Sequence, residues 1–317
     1  MNMSLERMQE YLGINECPED LDAYWDEGIR EMEALGTDCV LEEVMSLPNA
    51  LCYDLWFTGV GGAKVHAIFV RPREITAPVP AVLKFHGYAS NCGPFYDLLA
   101  WTSAGMCAAA MDCRGQYGKS EDVSTNCGTT WMGHIVRGAE SDDPRRLYFR
   151  NVYLDTAQLA RIIMAMDFVD EKRVGAFGRS QGGALTLACA ALTPTLNRIV
   201  SEEPFLSDFR RVWQMHKESI SYTELYDHFR WFDPQHKHEK EFFTKLGYID
   251  VHNLAHRIRA KVLMCTGLQD PICLPSTQFA IYNNLQTEKD MHIYPDFKHE
   301  TLPHRPDDMI RFLMAME

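Results

Sequence analysis

The stretch Arg173-Val-Gly-Ala-Phe-Gly-Arg-Ser-Gln-Gly-Gly-Ala-Leu-Thr-Leu-Ala-Cys-Ala-Ala-Leu192 carries the fold assignment. Its first half, Val174 to Gly178, is short and apolar without polar alternation, as in a strand buried on both faces. Its second half is an apolar run rich in Ala and Leu, which predicts a buried helix. Gly178-Arg179-Ser180-Gln181-Gly182 sits between them, so the pattern G-x-S-x-G falls on a strand-to-helix turn. G-x-S-x-G alone also fits a plain Gly/Ser turn, and the placement is what makes it a nucleophile elbow. The glycines leave room where a Cβ would strike a neighbouring strand or helix. Ser180 is thereby held in a strained conformation with its hydroxyl exposed, and the helix N-terminus behind it favours developing negative charge.

Working outward, Cys39 to Val44, Tyr53 to Phe57 and Lys64 to Val70 alternate like an antiparallel lead-in, with Gly59-Val60-Gly61-Gly62 turning the second into the third. From Ala81 the pattern changes. Ala81 to His86, Cys107 to Asp112, Ile199 to Glu203 and Val262 to Leu268 repeat the uninterrupted apolar type, and Met291 to Tyr294 reads as the last strand. Helical stripes alternate with them, Leu159, Ile162, Ile163 and Met166 being one and Met309, Phe312, Leu313 and Met316 another. The alternation argues for an α/β sandwich, and with the elbow the expected architecture is an α/β-hydrolase fold: a mostly parallel central sheet flanked by helices, with an antiparallel N-terminal lead-in. Residues 204–260 separate two core strands by more than a crossover needs and are dense in aromatics, which predicts a helical insertion over the sheet edge. With no repeat, linker or composition shift, residues 1–317 are expected to form one α/β-hydrolase domain.

Composition narrows the partners. Thirty-one Lys plus Arg stand against 44 Asp plus Glu, a net charge of -13, which repels polyanions and supplies no field for nucleic acid or an anionic membrane. The first thirty residues lack a basic start followed by a long apolar run and do not match a signal peptide, and no segment has the roughly 18 apolar residues of a membrane span. The ten cysteines, Cys17, Cys39, Cys52, Cys92, Cys107, Cys113, Cys127, Cys189, Cys265 and Cys273, show no C-x-x-C pair or regular framework. Reduced thiols in a cytoplasmic protein are the expectation.

A serine hydroxyl needs a base, and the base an orienting acid, in the chain order Ser, acid, His. Asp270 follows the strand ending at Leu268 and is the expected acid; Asp250 precedes that strand and Asp296 lies too near the histidine. Among twelve histidines, His299 is best placed, in the loop after the last strand, with His304 as competitor and His292 inside the strand. The oxyanion donors of this architecture are the amide after the nucleophile, Gln181, and one after an early strand, Tyr88 in His86-Gly87-Tyr88. His86 itself is expected to buttress the loop. His228, His236 and His238 lack a completing carboxylate or Cys, so no metal is expected there.

These residues resemble the cephalosporin C deacetylase and acetyl xylan esterase family, carbohydrate esterase family seven. The resemblance covers nearly the whole chain and rests on Arg114-Gly115-Gln116, Gly178-Arg-Ser-Gln-Gly182 and His299-Glu300, in order, with Gly267-Leu268-Gln-Asp270 and Pro275-Ser-Thr277 between. It implies Ser180 as nucleophile, His299 as base, Asp270 as orienting acid, and the amides of Tyr88 and Gln181 as oxyanion hole. It also implies structural support of the site by Arg114, Gln116 and Glu300. Removal of acetyl groups from acetylated sugars, xylo-oligosaccharides and cephalosporin C is the implied activity, needing no cofactor, in a hexamer built as a trimer of dimers around an interior cavity. Arg179, Glu203 and Leu274 depart from the family pattern and are expected to bear on the pocket wall or entrance charge. A serine peptidase, a broad short-chain carboxylesterase and a non-catalytic binding protein are the rival readings.

Overall fold

In a computed structural model, residues 3–125, 134–215 and 220–316 are described. The nine strands are β1 (Cys39–Ser46), β2 (Ala50–Thr58), β3 (Lys64–Pro72), β4 (Val79–Phe85), β5 (Cys107–Met111), β6 (Val169–Arg179), β7 (Arg198–Glu202), β8 (Lys261–Gly267) and β9 (Lys289–Tyr294). They form one sheet in the order β1-β2-β3-β5-β4-β6-β7-β8-β9. The pairs β1/β2, β2/β3 and β3/β5 are antiparallel, and every later pair is parallel. The lead-in and parallel core expected from the sequence are therefore both present.

Strand periodicity sorts the core into two layers. Ala81, Leu83, Ala176, Ile199 and Val262 face the helices Tyr148–Met164 and Gln181–Leu192, while their neighbours Val82, Phe177, Val200 and Leu263 join a second cluster with Trp101, Met309 and Leu313. Because both faces are covered, the parallel strands carry apolar residues at consecutive positions. From β4 the chain passes to β5 on one side and then to β6 on the other. The order reverses between β4 and β6, and ligands of open α/β sheets bind in the crevice at the carboxyl ends of such strands. Those ends are His86-Gly87-Tyr88 and Gly178-Arg179-Ser180.

The segment after β7 is helical, with Phe209–Met215, Thr223–Trp231, Glu239–Leu246 and Val251–Leu254. Its aromatics extend the core on the Ala81 and Leu83 face, Trp213 stacking on Tyr226 with centroids 4.6 Å apart and packing against Phe229 at 4.7 Å. The segment leaves the sheet at the carboxyl end of β7, an internal strand, the edges being β1 and β9. Val251–Leu254 packs on the helices Gln181–Leu192 and Pro275–Asn284. Buried Asp208 ties the insertion to the N-terminal segment, accepting hydrogen bonds from Tyr11 Oη (2.6 Å) and the amide of Asn15 (2.9 Å).

The described cysteines are all free and most are buried; Cys127 lies outside the described residues. Among the described residues, no helix is long and apolar enough to cross a membrane.

Candidate active site

Ser180 caps the helix Gln181–Leu192 with φ 58° and ψ -122°, a left-handed backbone that a non-glycine residue adopts only when its surroundings enforce it. Two backbone hydrogen bonds do so: Ser180 N–H donates to Glu202 O at 2.9 Å and Phe205 N–H to Ser180 O at 3.0 Å. A Cβ on Gly182 would run into the carbonyl oxygen of Phe85, and one on Gly178 into that of Gly182. The glycines thus let β6, its outgoing helix and the end of β4 close upon one another, leaving Ser180 half-buried at the crevice.

His299 stands in the loop after β9, and its Nδ1 lies 2.8 Å from Asp270 Oδ2. Asp270, at the end of β8, is almost fully buried. Its Oδ1 accepts the amides of Ile272 (2.7 Å) and Cys273 (2.9 Å), and Gln278 Nε2 reaches Oδ2 at 3.4 Å. Those donors fix the carboxylate, which in turn directs His299 Nδ1–H toward itself and leaves Nε2 with its lone pair. Ser180 and His299 line the same cavity of about 610 Å³. Ser180 Oγ also contacts Cys273 Sγ at 3.9 Å.

The competitors serve elsewhere. Asp250 caps Val251–Leu254 and accepts the amides of Asp208 and Phe209. His304 starts the helix Arg305–Met314 with φ 61°, and His292 pairs with Asp290 and Asp308 on β9. His228 stacks on Phe242 at 4.0 Å and burial holds it down to about 4.

Tyr88, after β4, lines the cavity, and Gln181, fully buried, follows Ser180 at the end of the adjacent strand β6. Gln181 is the first residue of its helix, where an amide has no intrahelical acceptor. Beneath them, Gln116 and Gln181 exchange side-chain amide hydrogen bonds (2.8 and 3.2 Å), and Gln116 Oε1 accepts the amide of Ala89 at 3.1 Å. Gln116 therefore ties the loop after β4 to the elbow. His86 accepts the amide of Cys113 on Nε2 (3.0 Å), so its proton sits on Nδ1 and is donated to Gly87 O (2.7 Å); burial keeps the ring neutral. Arg114 is buried against Asp155, and Glu300 accepts the amide of Lys298 within the histidine loop.

The departures from the family pattern fall into different places. Arg179 lines the cavity, but Glu203 has no exposed surface and belongs to the floor beneath His299. Arg179 Nε donates to Glu203 Oε2 at 2.8 Å, and that same oxygen lies 3.5 Å from His299 Nδ1. Neighbouring Glu202 pairs with Arg305 at 2.9 Å. Leu274 starts the helix Pro275–Asn284. Among the described residues, the groupings able to hold a metal are Asp270–Cys273–His299 and His66–Cys92–Asp112. In the second, His66 Nδ1 (2.7 Å), Cys92 N (2.7 Å) and Lys119 N (2.9 Å) already bond to Asp112.

The acetyl xylan esterase family model matches residues 1–316. The chain belongs to the acetyl xylan esterase family. Acetyl xylan esterase 1 from Thermoanaerobacterium sp. JW/SL YS485 is 49% identical with a TM-score of 0.97, over 100% of this chain and 99% of that one. An acetyl xylan esterase from Paenibacillus sp. R4 is 34% identical with a TM-score of 0.94, over 99% of this chain and 100% of that one. The acetyl esterase Axe7A of Xylanibacter ruminicola is 30% identical over 169 residues, which span 53% of this chain and 36% of that longer protein. An acylaminoacyl peptidase from Pyrococcus horikoshii shares the fold alone, at 19% identity and a TM-score of 0.55.

Within the acetyl xylan esterase fold, sequence reasoning left two neighbours of the site without their geometry. Cys273, three residues after Asp270, is expected from the sequence only as a small group beside the pocket, and its thiol turns toward Ser180 at 3.9 Å. Glu203 directly follows β7, whose last residue Glu202 pairs with Arg179 at the end of the elbow strand β6, so β6/β7 pairing could have brought Glu203 near Arg179.

Proposed function

We propose that this chain removes acetyl groups from hydroxyls of acetylated sugars and xylo-oligosaccharides through an acetyl-Ser180 intermediate. The observation that carries the reading is a serine on a strained elbow facing one cavity with a histidine whose Nδ1 is held 2.8 Å from a buried aspartate. His299 Nε2 takes the proton as Ser180 Oγ attacks the acetyl carbonyl, and Asp270 stabilises the imidazolium formed. The amides of Tyr88 and Gln181 receive the oxyanion, the bond from Ser180 Oγ to the acetyl carbon persists as the bond from that carbon to the sugar oxygen breaks, and the imidazolium protonates the departing alkoxide. Water then repeats the sequence and releases acetate. Gln116 and Arg114 hold the loops beneath this apparatus, and Glu300 holds the histidine loop. An ester requires no metal or organic cofactor for these steps.

Cephalosporin C, also an acetate ester, is a further substrate by the same chemistry. Residues 1–317 act as one domain, cytoplasmic by its free buried thiols, in a hexameric trimer of dimers; Val40, Leu41 and Val44, exposed on edge strand β1, offer apolar surface for a partner copy to cover. Ser180→Ala is expected to lower turnover of an activated acetate by about 10³-fold or more with unchanged thermal unfolding. Near-normal turnover by that variant defeats the reading. Preference for butyrate esters or peptide amides over acetylated xylo-oligosaccharide would favour the carboxylesterase or peptidase alternatives.

A further inference from the structure

We propose that Glu203 is a positioning residue for His299, a second carboxylate directed at Nδ1 whose charge Arg179 maintains. This rests on the assignment of Ser180 and His299 above. A single imidazole nitrogen has Asp270 Oδ2 at 2.8 Å and Glu203 Oε2 at 3.5 Å. Asp270 accepts the hydrogen bond, while Glu203, just beyond hydrogen-bond range, acts by charge in surroundings that screen weakly.

The backbone around Glu203 is specified for this direction. Its φ is 44°, left-handed for a residue with a Cβ, and its amide is held by Cys265 O at 2.9 Å. That strain points the side chain under the histidine instead of along the sheet. Its partner Arg179 is 30% exposed and reaches it with one nitrogen, and Glu203 Oε1 is without a partner among the described residues. A buried ion pair with only a structural role is expected to satisfy both oxygens. The other groups facing this cluster are Glu202 with Arg305, and the thiols of Cys265 and Cys273.

When Ser180 attacks, its proton moves to His299 Nε2 and returns to the leaving alkoxide; neither carboxylate takes it. The transient cation is stabilised by both anions, so Glu203 contributes most when ionised. Burial pushes the Glu203 carboxyl up to about 7 against the opposing pull of Arg179, so its charge changes close to neutral pH.

The test is the pH dependence of kcat and kcat/KM for 4-nitrophenyl acetate, from pH 5 to 9, in the full-length wild type, Glu203→Gln, Arg179→Met and Ser180→Ala. Glu203→Gln is expected to lower the plateau kcat by about 5- to 30-fold, leave KM within about twofold, and move the acid limb at least about half a pH unit lower. The limb moves that way because the imidazolium has lost an anion and the neutral ring persists in more acid solution. Arg179→Met, altered at a part-exposed position, is expected to move the limb in the same direction and serves alone if Glu203→Gln does not fold. A limb that stays within about 0.2 pH unit of wild type in the folded variants overturns the proposal. That failure is distinguishable from failure of the triad, which would appear as activity retained by Ser180→Ala.

Discussion

Two arginine–carboxylate pairs with buried carboxylates, Arg114–Asp155 and Arg179–Glu203, are built differently. Arg114 and Asp155 are each about 1% exposed and meet through two nitrogens and two oxygens, at 2.5 and 2.7 Å. Arg179 and Glu203 meet through one nitrogen, with the arginine on the cavity and the glutamate against His299. The fork of the first pair fixes a geometry and leaves its carboxylate no second duty. The second pair is open toward the histidine at the carboxylate, and its arginine Nε also lies 3.7 Å from Glu202 Oε1. Bidentate closure marks a brace, and a monodentate pair with a free carboxylate oxygen marks a charge that reports to something else.

The largest effect expected from breaking this contrast is on the brace. Arg114→Met leaves Asp155 buried without a cation, and removal of one partner from a buried pair costs about 3–5 kcal/mol. Denaturant unfolding measures it, and a loss below about 1 kcal/mol would mean that the fork is not the brace described. Burial already pushes the Asp155 carboxyl upward against the pull of Arg114. Without the arginine, Asp155 is expected to take up a proton on folding, so the deficit should grow from pH 5 to pH 8.

The second pair predicts a smaller effect of different form. Glu203 is pushed up to about 7, above the ordinary range of an unfolded chain near 4.3. In the interval between these values the native state holds the proton more tightly than the unfolded state, so this group's contribution to stability falls as pH rises. Glu203→Gln removes that slope. Relative to wild type, the variant should gain at least about 1 kcal/mol on passing from pH 5 to pH 8, since a tenfold difference in proton affinity between the two states corresponds to about 1.4 kcal/mol. A constant difference across that interval would mean that Glu203 does not change its charge on folding between pH 5 and pH 8.

The same contrast explains what the sequence makes legible. Uninterrupted apolar runs locate the parallel strands because burial on both faces leaves few polar positions, and G-x-S-x-G between strand and helix locates Ser180 because its glycines answer a steric demand within a few residues. Asp270 and His299 are legible from their places after successive strands. Glu203 is not: its neighbours Arg179 and His299 are brought to it by β6/β7 pairing and by the loop after β9, 24 and 96 residues away in the chain. Its charge therefore reads as an entrance feature in the sequence and becomes a floor beneath the histidine only in three dimensions. The seat of the insertion is illegible for a related reason, since its length and aromatics indicate helices but carry no signal of whether β7 is an edge or an interior strand.

The least effect is expected from a third pair, at the cavity rim, which sharpens the contrast by lacking burial. Lys84 Nζ lies 2.8 Å from Asp97 Oδ2 with the two side chains 23% and 41% exposed. Water and salt screen such a pair, and exposed ion pairs contribute roughly 0–1 kcal/mol. Asp97→Asn is therefore expected to change stability by no more than about 0.5 kcal/mol, with the difference shrinking as salt is raised to about 1 M, where the screening length falls to about 3 Å. The acid limb of the rate profile should stay in place, because the Asp97 carboxylate is open to solvent while Glu203 lies buried against the imidazole. If Asp97→Asn moved the limb as far as Glu203→Gln, charge anywhere on the cavity would suffice, and the specific placement of Glu203 beneath Nδ1 would lose its meaning.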